Sequence, residues 1–305
     1  MTDLRCAVSD YLIVRRRLGF TLKEAGQDLE RFIQFMERAG AKHVTSELAL
    51  SWAISVPAHP NRWRRRLGVV RGFARYLATI DSQTEVPSED LLKASLPRVA
   101  PYLYAEAEID ALMRAASALE PRLRAATFET LIGLMAVSGL RAGEALGLDR
   151  DTVDLHDGAL HVRSGKQGKQ REVPLHETTV HALRDYRQLR DQLLPEPATA
   201  AFFVSDQGSR VTANMFNRWF VKLIHQVGLE GAGRRGRPRP HDLRHTFAVR
   251  TLIDWYQGDE DINAKLPLLS TILGHANPVS TYWYLQASPE LLALARDRLE
   301  REGLS

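Results

Sequence analysis

The chain has 305 residues, with 44% hydrophobic and 26% charged side chains and a formal net charge of +4. That composition belongs to a folded globular protein, long enough for two domains, and excludes disordered and collagen-like chains. A lone cysteine, Cys6, rules out an internal disulfide and fits a reducing compartment, and the longest apolar run, Leu131 to Leu140, is too short to span a bilayer.

Residues 1–80 read as four helices with short connections. The first covers Leu4 to Leu18 and stops at Gly19; Asp3 and Arg5 set it apart from the apolar core of a signal peptide. Thr21 and Glu24 have capping-box spacing and open the second helix. Its stripe of Leu22, Ala25, Leu29, Phe32, Ile33, Phe35 and Met36 repeats at helical period toward Gly40. Thr45 or Ser46 opens a third helix, which Pro57 ends, and the fourth starts near Pro60. That helix carries Trp63, Leu67, Val70, Phe73, Tyr76 and Leu77 on one side. Residues 81–101, polar and punctuated by Pro87, Pro97 and Pro101, read as an interdomain linker.

Beyond the linker, Ala105 to Leu119 reads as an amphipathic helix and Leu123 to Val137 as a buried central one, broken at Ser138-Gly139. Arg141-Ala142-Gly143-Glu144 begins a short helix. From Thr152 to Leu175 the pattern becomes stranded, with Val153, Leu155 and Leu160, Val162 flanking an Asp157-Gly158 hairpin. A second turn at Gly165–Lys169 leads into Arg171–Pro174. Helices return at Glu177–Leu194, Thr212–Val227, His241–Tyr256, Leu266–Leu273, Thr281–Leu285 and Pro289–Glu302, and the acidic stretch Gly258–Lys265 reads as a solvated loop. The expected fold class is mainly α with a small antiparallel β-sheet.

Charge is unevenly spread. Residues 1–97 hold 15 Lys/Arg against 11 Asp/Glu, whereas the remainder holds 26 of each. Three arginine clusters stand out: Arg15-Arg16-Arg17; Arg62, Arg64, Arg65, Arg66 and Arg71; and Arg234, Arg235, Arg237 and Arg239 on the approach to His241. Such clusters suit phosphate backbones, although any one of them also fits a solvated helix face.

The C-terminal half carries the chemistry. Arg141 follows a glycine turn at a helix start, where free amides favour an anion and a guanidinium can hold two phosphate oxygens. Lys166 sits at the tip of a strand turn and could protonate a leaving oxygen; Gln167, Lys169 and Arg171 are alternatives in the same loop. His241 and Arg244, spaced i, i+3, share a helix face. His241 and His245 have zinc-ligand spacing, but the arginine between them and the basic approach disfavour a cation, and His245 reads as a residue that packs or hydrogen-bonds within the domain. His275 follows Leu273-Gly274. Tyr282 and Tyr284 are i, i+2, so only one can face a cleft. Cations, a nucleophile and proton-moving groups are what phosphoryl transfer needs, and a tyrosine nucleophile implies a covalent intermediate.

Four boxes, SGLRAGEAL at 138–146, GKQGKQREVPL at 165–175, HDLRHTFA at 241–248 and LGHANPVSTYWYL at 273–285, together resemble the tyrosine recombinase (phage integrase) family. The resemblance implies a helical core-binding domain at 1–80, a linker at 81–101 and an α+β catalytic domain at 102–305. It implies that Arg141 and Arg244 clamp the scissile phosphate, that Lys166 is the general acid, that His241 acts on the tyrosine proton and that His275 supports the phosphate. Tyr284 matches the nucleophile by its distance from His275. It further implies double-stranded DNA as partner, contacted by Arg62, Arg64, Arg65, Arg66, Arg71, Arg234, Arg235 and Arg237, with no metal, ATP or other cofactor. The working form would be a homotetramer on paired sites, or an assembly with paralogous recombinases, the helix Ser288–Glu302 docking on a neighbour. A cytoplasmic, nucleoid-associated protein without membrane contact follows. The rival readings are type IB topoisomerase-like relaxation, a DNA-binding accessory protein of a mobile element, and a zinc hydrolase.

Overall fold

The computed structural model describes residues 3–92, 101–163, 170–196, 198–231, 237–258, 260–275, 277, 279–285, 288–301 and 303. The chain divides into two compact units, Met1–Arg98 and Val99–Ser305.

The first unit is a bundle of α1 (Leu4–Arg17), α2 (Lys23–Arg38), α3 (Ser46–Ile54) and α4 (Pro60–Leu77). Asp3 caps α1, and the Thr45 hydroxyl accepts the Leu48 N–H at 3.2 Å at the start of α3. Pro60 occupies the first turn of α4, where a missing N–H costs no hydrogen bond. The start of α2 differs from the expectation. Leu22, not Thr21, precedes it in a left-handed conformation (φ +43°), no side chain caps it, and Glu24 pairs with Arg65 at 2.5 Å. Leu29, Phe32, Met36, Trp52, Leu67, Val70, Phe73 and Leu77 form the core.

The chain after α4 stays on this unit. The Glu85 N–H donates to Val44 O (2.8 Å), and Arg71 donates to the carbonyls of Pro87 (2.8 Å) and Ser88 (2.9 Å). The front of the expected linker, residues 81–92, is thus hydrogen-bonded to the bundle; residues 93–100 lie outside the described residues.

In the second unit α5 (Glu106–Ser117) packs on α6 (Arg122–Ser138), whose Leu123, Phe128, Leu131, Ile132, Leu134 and Met135 are all buried. A short α7 (Ala142–Leu146) leads into an antiparallel sheet ordered β1 (Val153–Asp154), β2 (Ala159–Arg163), β3 (Gln170–Pro174). Its register pairs Leu160 with Val173 and Val162 with Arg171, and Leu160, Val162 and Val173 fill the core. Asp154 accepts the His156 and Asp157 N–H groups (2.8 and 2.9 Å), and Gly158 takes φ +67° to complete the β1–β2 turn. Helices α8 (Glu177–Leu193), α9 (Ala213–Gln226), α10 (Pro240–Gln257), α11 (Ile262–Leu273), α12 (Val279–Leu285) and α13 (Pro289–Arg301) follow.

One expectation changes here. The acidic stretch is not a loop throughout: Asp261 accepts the Ala264 N–H at 3.1 Å and starts α11 at Ile262, with Pro267 inside the helix. The last helix packs on α10 of its own chain. Leu291 is buried in a cluster with Ala248, Val249 and Leu252 of α10, and Arg298 donates to the Glu260 carbonyl at 2.8 Å. Among the described residues no helix is long and apolar enough to cross a membrane.

Candidate active site

The site assembles where the ends of α6 and α11 meet the first turns of α10. Gly139 ends α6 at φ +62°, and a Cβ there would stand 2.4 Å from Phe247 Cδ1 and 2.9 Å from Leu273 Cδ2. Only glycine fits both the backbone and the space. Gly274 ends α11 in the same way (φ +64°), with the Arg171 guanidinium 2.6 Å from where its Cβ would be. These two helix ends present carbonyls to one cation. Arg244, 1% exposed, donates from Nη1 to Gly139 O (2.8 Å) and from Nη2 to Leu273 O (2.6 Å). Negative helix C-termini thus hold a buried positive charge. Burial first, and Arg141 second, lower its pKa to about 10, which leaves it cationic at neutral pH. Two of its five N–H groups are spent on the carbonyls, so the fork keeps donors for an anion.

Arg141 stands immediately before α7. Its Nη1 donates to Glu144 Oε1 (2.7 Å), its Nη2 to Gly274 O (3.1 Å) and its backbone N–H to Glu144 Oε2 (2.9 Å). Glu144, whose side chain is 10% exposed, also receives Arg171 at both oxygens, 3.1 and 2.7 Å. Burial alone would raise this carboxyl; hydrogen bonds from Arg171 and Arg141 outweigh it and hold the pKa at about 2. Arg171 further donates to Ile272 O at 2.8 Å. One carboxylate therefore ties β3, α7 and, through Arg171, the end of α11 together. This arrangement removes Arg171 from the candidates for a proton donor, because its guanidinium is committed to Glu144.

Asp242 accepts the Arg239 N–H at 2.8 Å and so caps α10, which sets His241, Arg244 and His245 on its opening turns. The Tyr284 ring comes from α12 and is 2% exposed, whereas Tyr282 is 51% exposed; of the two, Tyr284 faces the site. The Tyr284 hydroxyl is 3.1 Å from His245 Nδ1, and its ring lies nearly parallel to His275 (centroids 6.0 Å, 16°). His241 meets the His245 ring edge-on at 4.7 Å. His275 Nδ1 bonds Thr281 Oγ1 at 2.7 Å.

The cations and the burial tune these groups. Burial first, then Arg244 and Arg141, depress His275 to about 4, and burial with Arg244 also lowers His241. Burial raises Tyr284, with Arg244 and Arg141 pulling the other way. The site is therefore two guanidiniums, imidazoles biased toward neutrality, and a phenol whose ionisation is favoured only by the arginines. Such a constellation can bind a tetrahedral oxyanion and deliver an oxygen nucleophile to it. Among the described residues no three His, Cys, Asp or Glu side chains converge as a metal site would require.

Lys166, Arg234 and Arg235 lie outside the described residues. Arg237 is exposed on the approach to α10, and Arg62 and Arg64 are exposed on α4. Arg65 is paired with Glu24 and Asp28, and Arg71 is held by the Pro87 and Ser88 carbonyls. Arg66 is a correction. It is 7% exposed, its guanidinium stacks 4.0 Å over the Trp52 ring, and it donates to Ala53 O, so it belongs to the bundle core and not to a DNA-facing surface. Glu144, three residues after Arg141, is readable from the sequence as a group that could orient it; the pairing of Arg171 with Glu144, the role of Thr281 and the His245–Tyr284 contact are not, because only the fold joins them.

A mostly helical frame with a three-stranded sheet, enclosing a tyrosine among histidines and arginines, is the class of the tyrosine recombinases. Residues 103–290 match the model of the phage integrase family, and the chain belongs to that family. It is 42% identical over 308 residues to the putative integrase/recombinase y4rB of Sinorhizobium fredii, covering 99% of this chain and 98% of that protein. Tyrosine recombinase XerC of Yersinia pestis is 28% identical over 294 residues, covering 94% of this chain and 91% of that one. The fold recurs in the Tn1549 transposon integrase in complex with transposon right end DNA (TM-score 0.68, 17% identity, 97% of this chain and 98% of that one). It recurs too in the XerH site-specific recombinase bound to its palindromic difH substrate (TM-score 0.67, 19% identity, 90% and 78%).

Proposed function

We propose that this recombinase cuts and rejoins double-stranded DNA at specific sites through a 3′-phosphotyrosyl intermediate, using neither ATP nor a metal ion. The observation that carries the reading is the buried Tyr284 hydroxyl, set beside His245 and against Arg244 and stacked on His275. Arg141 and Arg244 hold the scissile phosphate and take up its developing charge, the work that metal ions do in other phosphoryl transferases. The Tyr284 oxygen attacks phosphorus, the bond to the 5′-oxygen breaks, and Lys166 returns a proton to that oxygen. A 5′-hydroxyl from a partner duplex then reverses the step, so bond energy is conserved. His241 and His275 line the phosphate. Arg62, Arg64, Arg234, Arg235 and Arg237 contact the DNA backbone, and two sites are brought together by a tetramer of this chain or of this chain with paralogous recombinases.

The test traps the covalent step. The protein is incubated in EDTA with DNA from the neighbourhood of its gene, denatured, and examined for DNA-linked protein. A link that persists in Tyr282→Phe and vanishes in Tyr284→Phe supports the reading. Relaxation of one supercoiled site without exchange between two would point to a topoisomerase, and binding without any link to an accessory DNA-binding protein.

A further inference from the structure

The resemblance gives the tyrosine proton to His241, yet the imidazole within hydrogen-bond distance of that hydroxyl belongs to the second histidine of the box. We propose that His245 is a catalytic residue of strand cleavage, its Nδ1 accepting the Tyr284 proton as the phenolic oxygen attacks the phosphate. The proposal rests on the cleavage reaction described above. His245 Nδ1 stands 3.1 Å from the Tyr284 oxygen, within the distance for direct proton transfer.

The other groups around that oxygen are placed differently. Arg244 has only donors, so it can stabilise the phenolate but never receive its proton. His275 turns a ring face toward the phenol, and its Nδ1 is engaged with Thr281 Oγ1 at 2.7 Å. His241 lies edge-on to His245 itself, with ring centroids 4.7 Å apart. With the Arg244 cation on the same oxygen repelling the phenol proton, the proposed transfer uses the Nδ1 lone pair and so the Nε2–H tautomer of His245. Trp283 packs on the same imidazole (centroids 5.5 Å, 64°), beside the buried Tyr284 ring.

The step balances. The Tyr284 O–H bond breaks and its proton moves to His245 Nδ1, while the oxygen lone pair forms the O–P bond. The P–O5′ bond breaks with its electron pair on the 5′-oxygen, which is protonated from the opposite side of the phosphate. In the reverse direction the His245 imidazolium returns the proton to the departing tyrosine oxygen. Sequence alone reads this histidine as one that packs or hydrogen-bonds within the domain and does not name its partner, because 39 residues separate it from Tyr284.

The experiment measures single-turnover cleavage by the full chain on the site defined with the covalent trap. His245→Asn puts an amide near the Nδ1 position, which preserves a hydrogen-bond partner but no base; His245→Ala leaves a space that free imidazole can enter. Both should slow cleavage by about 100-fold or more with DNA binding retained. Added imidazole should speed His245→Ala and leave His245→Asn unchanged. The defect should persist on a substrate with sulfur in place of the bridging 5′-oxygen, since a better leaving group does not replace a base. Cleavage by His245→Asn within a few-fold of the unaltered protein would reduce the contact to positioning and overturn the proposal. Faster cleavage by His245→Ala would make it a restraint on the nucleophile and overturn it equally. If the unaltered protein forms no Tyr284-dependent link at all, the cleavage reading itself falls, and this proposal with it.

Discussion

Single side chains set the charge state of this site, and acid should expose them one at a time. His275 is held near 4 by burial and by Arg244, Arg141 and Arg171, against an ordinary value of about 6.5. Between those values the unfolded chain binds a proton that the folded chain refuses, so stability falls as pH falls. The window runs from about pH 6.5 down to 4, with a contribution on the order of 2 kcal/mol after allowance for solvent, and His241 adds to it in the same direction. Thermal unfolding across that window should show a steeper loss for the native chain than for His275→Gln. Glu144 acts in a lower window. Its carboxylate, at about 2, contributes stability that is present above pH 4.5 and disappears as pH drops through that range. Arg171→Gln takes away the larger of its two guanidinium partners, freeing Glu144 to draw Arg141 away from the phosphate. Cleavage should slow by ~10-fold or more while DNA binding changes little, as one charge-assisted pair is worth about 1.5–3 kcal/mol. Lysine at 171 cannot supply the planar fork and should rescue only in part.

At the scale of elements, most of the fold was legible because buried stripes at helical period and glycine stops are local signals. The α6 run from Leu123 onward, the Gly139 stop and the Asp157-Gly158 turn are of this kind. The boundaries that moved have particular causes. A proline fits best in a first helical turn, so Leu266-Pro267 reads as a start, whereas the Asp261 cap places Pro267 one and a half turns inside α11. Thr21 has the residue type of a cap, but Leu22 turns left-handed and takes the position. At the site the sequence offers an inventory and not a geometry: the family resemblance names Arg141, Arg244, His275 and Tyr284, while the Arg171–Glu144 clamp joins residues 27 apart on different elements. Gly139 is where element and site meet, since its carbonyl orients Arg244 and its missing Cβ admits Phe247 and Leu273. Gly139→Ala imposes a left-handed alanine, about 1–2 kcal/mol, and overpacking of about 1–3 kcal/mol. Urea unfolding should register a loss of roughly 2–5 kcal/mol, and cleavage should drop further because the Arg244 fork is displaced.

For the whole molecule, the surplus of positive charge in residues 1–97 overstates what can meet a phosphate backbone. Arg5 is paired with Glu37, Arg65 with Glu24 and Asp28, and Arg75 with Glu89. Arg66 is buried over Trp52. The basic appearance of α4 in the sequence thus mixes two kinds of arginine, and composition cannot separate them because helical period places Arg62 and Arg66 one turn apart. Their substitutions should separate cleanly. Arg62→Ala should weaken DNA binding across all sequences and reduce the slope of log affinity against log salt by about 1, with unfolding unchanged. Arg66→Ala loses a buried cation–π contact and a charged hydrogen bond to Ala53 O, at a cost of about 2 kcal/mol in stability, with the salt slope intact. Titrations at several salt concentrations beside urea unfolding check both. If Arg66→Ala lowered the slope as Arg62→Ala does, that arginine would have to leave Trp52 on binding, and the bundle would have to open when it meets DNA.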